Sequence, residues 1–170
     1  MKNQYRVTKY APSLRDATGA YAGEDWTSRS DIGRVFAGGM LSEAEYLKVE
    51  NSYLSAMENF LDEAGIESLA LKGLERHGAA GGGLARGGSL SIAQSLDFAR
   101  LALREEAWGK LVVPGRAYDH FGYDYYMYIG VPSKCERSIG IARDLGLFVE
   151  RFRSPYLRQT AFMPLLSAAI

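Results

Sequence analysis

The period of apolar positions changes repeatedly along this chain, and each change predicts a new element. Gln4 to Tyr10 alternates polar and apolar residues, as a half-buried strand does. From residue 11 to 41 no period holds, and Pro12, Gly19, Gly23, Gly33, Gly38 and Gly39 mark loop. Tyr46, Val49, Tyr53, Met57, Phe60 and Ala64 then recur at steps of three and four, which is one face of a helix. Ser42-Glu-Ala-Glu45 has the spacing of a capping box at its start, and Gly65 supplies a left-handed cap at its end. Ile66 to Leu74 reads as a strand with Leu69 and Leu71 on one face. Ser91-Ile-Ala-Gln94 opens a second helix, through Leu96, Ala99 and Leu103. Trp108 to Val113 is a strand stopped by Pro114, and residues 116–129 form a hairpin turning near Gly122. Ser133-Lys-Cys-Glu136 predicts a third cap, for a helix with Ile139, Ala142 and Leu145 inward and Gly146 at its end. Leu147 to Phe152 is the last strand.

The predicted order is β-α-β-α-β-β-β-α-β. That mixture, with a hairpin inside it, implies an α+β fold: a single mainly antiparallel sheet carrying three helices. Residues 1–158 are read as a single domain and 159–170 as an apolar C-terminal tail that packs on the domain, pairs subunits into a homo-oligomer, or stays disordered. The Gly/Ala run at 77–89 buries little surface when ordered, so it is expected to be the most mobile internal segment.

Charge narrows the function classes. The chain has 20 basic and 20 acidic residues. A balanced chain lacks the basic excess that grips nucleic acid, so no nucleic-acid partner is expected. Residues 1–75 are acidic and 76–170 basic; in the simplest reading the halves neutralise each other on folding. One cysteine, Cys135, rules out an intrachain disulfide, and no apolar run is long enough for a signal core or a membrane span. The expectation is a cytoplasmic protein with no membrane partner.

Candidate chemistry is sparse. Gly83 and Gly88-Ser89 have the spacing of a phosphate loop but lack its lysine, so a connector is the default. His120 lies near Asp119 and Asp124, the material of an acid–base pair, yet in a strand Asp119 and His120 point to opposite faces. No ligand spacing for a metal stands out, and no cofactor or catalytic set is assigned. What remains is surface chemistry. Five of the eleven tyrosines fall between Tyr118 and Tyr128. Tyrosine offers a rigid apolar face with a polar tip, which suits either a binding surface or an ordinary sheet. The helix at 42–64 carries Glu43, Glu45, Glu50, Glu58, Asp62 and Glu63 against Lys48 alone, an acidic face able to steer a basic partner. Asp62 and Glu63 oppose the helix dipole, which favours a functional reading of them. Trp26 is read as an anchor of its loop to the core, and Ser30 and Asp31 as makers of turn or cap hydrogen bonds. The binding residues inferred are Tyr123, Asp124, Tyr126 and Tyr128, with Glu50 and Glu58 as steering charges, and the expected partner is another protein. A small enzyme with an Asp/His/Tyr site around His120 is the alternative.

Three phrases carry a resemblance: Asp25-Trp-Thr-Ser-Arg-Ser-Asp-Ile-Gly33, His120-Phe-Gly-Tyr-Asp-Tyr-Tyr-Met-Tyr-Ile-Gly130 and Leu147-Phe-Val-Glu-Arg-Phe-Arg-Ser-Pro-Tyr156. In this order they span nearly the whole chain, and they resemble a group of small uncharacterised bacterial proteins. That group is similar in size and style to immunity proteins of bacterial toxin systems. The resemblance implies an immunity-type inhibitor and transfers no functional residue.

Overall fold

The computed structural model describes residues 1–77 and 88–158. The expected mobility of 77–89 falls mostly outside them, as does the tail at 159–170. Strand β1 (Asn3–Thr8) opens the chain, and a small hairpin of β2 (Val35–Phe36) and β3 (Gly39–Met40) lies in the loop region. Helix α1 (Glu43–Glu63), β4 (Ser68–Arg76), β5 (Ser89–Ser91) and α2 (Ile92–Leu103) follow. Then come β6 (Ala107–Val113), β7 (Ala117–Phe121), β8 (Tyr126–Val131), α3 (Glu136–Asp144) and β9 (Phe148–Arg151). The fold is α+β, and the element order is the one the pattern predicts, with β2, β3 and β5 added. These three are too short to show a period.

Seven strands form one sheet in the order β5-β4-β6-β7-β8-β1-β9, and each neighbouring pair is antiparallel. The hairpin β7–β8 is its centre, where the alternation of Phe121, Met127 and Ile129 with tyrosines predicts it. Registers place Leu71, Leu111, Asp119, Ile129 and Tyr5 in one row across the sheet. These residues are all buried and look towards the helices, with α1 lying between α2 and α3. The neighbouring row, Lys72, Lys110, His120, Tyr128, Arg6 and Glu150, lies on the opposite face, which carries no α-helix, only the short 3-10 turn Pro155–Arg158 at one place.

Local chemistry explains the joints. Ser42 accepts a hydrogen bond from the Glu45 amide, Gly65 has φ +62 after α1, and Ser91 and Gln94 form the full reciprocal box before α2. The third cap differs from expectation. Cys135, at φ 52, takes the N-cap position of α3, and the Ser133 hydroxyl turns to its sulfur. The free amides of α3 go instead to Glu63 at the end of α1: Arg137 N donates at 3.3 Å and Ser138 N at 2.7 Å. Asp62 pairs with Arg137. The two acidic residues that oppose their own dipole therefore complement the dipole of the next helix. Leu145, expected inward, is exposed, because α3 ends before it.

The Tyr53 hydroxyl joins two segments. It accepts from the Lys9 amide at 2.6 Å and donates to the Tyr125 carbonyl at 2.7 Å. Tyr125 sits buried beside Trp26, Tyr46 and Tyr53 although its φ is +60. Trp26 thus anchors its loop to the core as expected, and Asp31 accepts from the Thr27 and Ser28 amides to shape that loop.

Candidate functional site, the helix-free sheet face

Alternation in six strands presents a continuous layer of aromatic and charged side chains on the face without α-helices. Tyr126 and Tyr128 of β8 project there because Met127 and Ile129 face the core. Arg6 of β1 grips Glu150 of β9 through two hydrogen bonds, at 3.1 and 3.0 Å. Arg15, reaching over from the loop after β1, bonds Glu150 at 2.9 Å and the Tyr126 hydroxyl at 3.0 Å. Burial alone would raise the Glu150 carboxyl, but hydrogen bonds and charge from the two arginines outweigh it and hold the carboxyl below its ordinary value. The Arg6 guanidinium also lies 4.3 Å from the Phe152 ring centroid. Two arginines against one carboxylate leave the cluster positive.

At the other end of the same row, His120 is 2% exposed and stacks on Tyr118 at 4.5 Å. Its Nδ1 lies 2.9 Å from Ser154 Oγ, while its Nε2 has no hydrogen-bond partner among the described residues. Burial and the charge of Lys110 lower its pKa to about 4, so the ring is neutral at pH 7. Tyr118 lies flat over Gly130, where a Cβ would sit 2.3 Å from its ring. Its hydroxyl donates to Gln4. Segment 152–157 crosses this end of the face, with the Tyr156 ring edge-on to Trp108 and Tyr128.

The residues inferred from sequence divide between four environments. Tyr123, 65% exposed, and Asp124 stand at the β7–β8 turn, open to solvent. Tyr126 is half-buried and Tyr128 is 8% exposed, both within the layer. Glu58 faces solvent in a groove of about 550 Å³ shared with Asp62 and Glu67. Glu50 is different. It is 1% exposed and bound by Arg104 at 2.7 and 2.9 Å, by Arg100 at 3.3 Å and by the Tyr46 hydroxyl at 3.3 Å. A carboxylate already neutralised and shielded does not steer a partner through solvent; Glu50 ties α1 to α2. The helix period shows this in retrospect, since Glu50 follows Tyr46 by four residues on the inward stripe.

Asp119 and Asp124 do not join His120. Asp119 faces the helices, fully buried, with no partner for either oxygen among the described residues, and desolvation pushes its pKa far up. Asp124 is held away at the turn with φ +61. Sequence reasoning missed Arg6, Arg15, Glu150 and the role of Tyr156. Arg6 and Glu150 had a signal, the polar phase of two alternating strands; Arg15 had none, because a loop residue's reach has no period. Compared with protein-family models, curated proteins and solved structures, the chain matches none.

Proposed function

We propose that the protein is a protein-binding module whose contact surface is the helix-free sheet face together with the β7–β8 turn. The observation that carries the reading is the concentration there of tyrosine, phenylalanine and arginine, the residues that anchor protein interfaces. Tyr123, Phe148 and Phe152 are exposed at its margin. Buried Arg6 and half-buried Arg15 and Glu150 hold the surrounding aromatic side chains in place, which lowers the ordering cost of binding. The acidic groove around Glu58 supports attraction of a partner with a basic surface. The biological form of this reading is an immunity-type inhibitor that occludes a toxin.

The test pairs the protein with the product of a neighbouring gene and measures affinity by calorimetry. Tyr123→Ala and Phe152→Ala are each expected to weaken the complex by about 2 kcal/mol while leaving the melting temperature nearly unchanged. Unaltered affinity in both variants removes this face from the interface. Absence of any complex at micromolar concentration removes the inhibitor reading.

The second reading is a small enzyme around His120. It draws on the 2.9 Å contact with Ser154 Oγ, the spacing of a base and a nucleophile. It is the weaker one, because both groups are buried and neither neighbouring aspartate orients the ring.

A further inference from the structure

Segment 152–157 lies on the helix-free face through specific polar and ring contacts. Ser154 Oγ meets His120 Nδ1 and also accepts from the Tyr156 amide at 3.2 Å. Lys110 Nζ donates to the Tyr156 carbonyl at 2.7 Å. The Tyr156 ring is bordered by Trp108, His120 and Tyr128. Gly122 leaves room for its hydroxyl, since a Cβ there would stand 3.0 Å from that oxygen. The cradle therefore reads a hydroxyl, an aromatic side chain two residues later, and that residue's carbonyl.

Much of the occupant stays open to solvent. Of the segment only Ser154 is buried; Phe152, Arg153 and Pro155 are exposed, and Tyr156 and Leu157 half-exposed. Strand pairing in the sheet ends at Arg151, so lifting 153–157 breaks no strand pairing. The fit is also incomplete, because among the described residues His120 Nε2 keeps no partner with the segment in place.

We propose that this cradle is a peptide-recognition site, filled in cis by the chain's own Ser154-Pro-Tyr156, which a partner protein displaces with a segment of the same chemistry: a serine or threonine two residues before a tyrosine. A partner segment that also offers a polar atom to His120 Nε2 gains a hydrogen bond that the internal segment lacks. This rests on the helix-free face being the contact surface, and it names what the partner presents there. The tethered segment competes at an effective concentration of about millimolar, so it raises the affinity threshold for every other ligand.

The probe is a synthetic peptide with the sequence of residues 152–158, Phe-Arg-Ser-Pro-Tyr-Leu-Arg. It is titrated into the full chain carrying Tyr156→Ala and into the wild type. Binding is followed by the indole N–H resonance of Trp108, with buried Trp26 reporting that the fold persists. The peptide is expected to bind Tyr156→Ala at least about 10-fold more tightly than wild type, because the internal competitor is weakened. The peptide with alanine in place of tyrosine should not bind. If Tyr156→Ala unfolds, Ser154→Ala serves as the weakened-competitor chain. Absence of binding to a folded variant up to millimolar peptide overturns the proposal, as does equal binding to variant and wild type or equal binding of the alanine peptide. Failure of the contact-surface reading is separately visible: Tyr123→Ala and Phe152→Ala then leave a partner's affinity unchanged whatever the peptide does.

Discussion

Glu50 is an acidic residue whose burial reverses its meaning. Its carboxylate meets the Arg104 guanidinium through paired hydrogen bonds, and Arg100 closes a third side. Removing Glu50 takes away several charge-assisted hydrogen bonds that tie α1 to α2, although the two arginines can turn to solvent. Glu50→Ala is therefore expected to destabilise the fold by about 1–3 kcal/mol, read from denaturant melts, whereas loss of an exposed steering charge would leave stability within about 0.5 kcal/mol. A near-neutral melt for Glu50→Ala contradicts the buried network. The same logic makes Tyr53 and Tyr125 structural tyrosines: the Tyr53 hydroxyl is saturated by two backbone groups, and the Tyr125 ring is enclosed by three aromatic neighbours.

Between elements, one carboxylate does the work of a cap across two helices. Glu63 accepts from the Arg137 and Ser138 amides and from the Ser138 hydroxyl, so α1 closes the open N-terminus of α3. Burial would raise the Glu63 carboxyl, but these hydrogen bonds and the charge of Arg137 outweigh it and keep it below its ordinary value. Loss of a helix cap costs about 0.5–2 kcal/mol. Glu63→Ala should show that loss and faster amide exchange in the first turn of α3. Glu58→Ala, on an exposed position of the same helix, should show neither. Equal stability of the two variants would mean that Glu63 adds nothing measurable to the α1–α3 joint.

The molecule as a whole contains two opposed proton-linked groups in adjacent positions of one strand. Asp119 is neutral in the folded state because desolvation raises its pKa far above the unfolded value. The folded state then holds a proton that the unfolded state releases. The stability Asp119 contributes is fully present below its unfolded pKa near 4, and it is lost as pH rises through the interval up to the folded pKa, by about 1.4 kcal/mol per pH unit. His120 has its pKa lowered to about 4, chiefly by burial and then by Lys110. Its contribution is present above its unfolded pKa near 6.5 and falls as pH drops towards 4. Asp119→Asn should remove the alkaline-side slope and raise stability at pH 8 relative to wild type, measured by denaturant melts at pH 5 to 8. An unchanged slope in Asp119→Asn would show that Asp119 is not the linked group.

Period and propensity determined the α+β class, the order of strands and helices, and the central hairpin, because burial of one face writes itself into local sequence at intervals of two or about 3.6 residues. Of the three predicted capping boxes, the one at Ser91 held in full and the one at Ser42 in its hydroxyl half, since both serines act on amides three residues away. Tertiary structure alone decided which face of the sheet the helices would cover. It alone decided that Glu50 would find Arg104 rather than solvent, and that Glu63 would cap a helix 73 residues further on. It also brought Arg6, Arg15, Glu150 and Tyr156 onto one surface. Those residues meet through strand register and chain crossing, and neither leaves a local periodic trace, so the layer of the proposed site is visible only after the chain has folded.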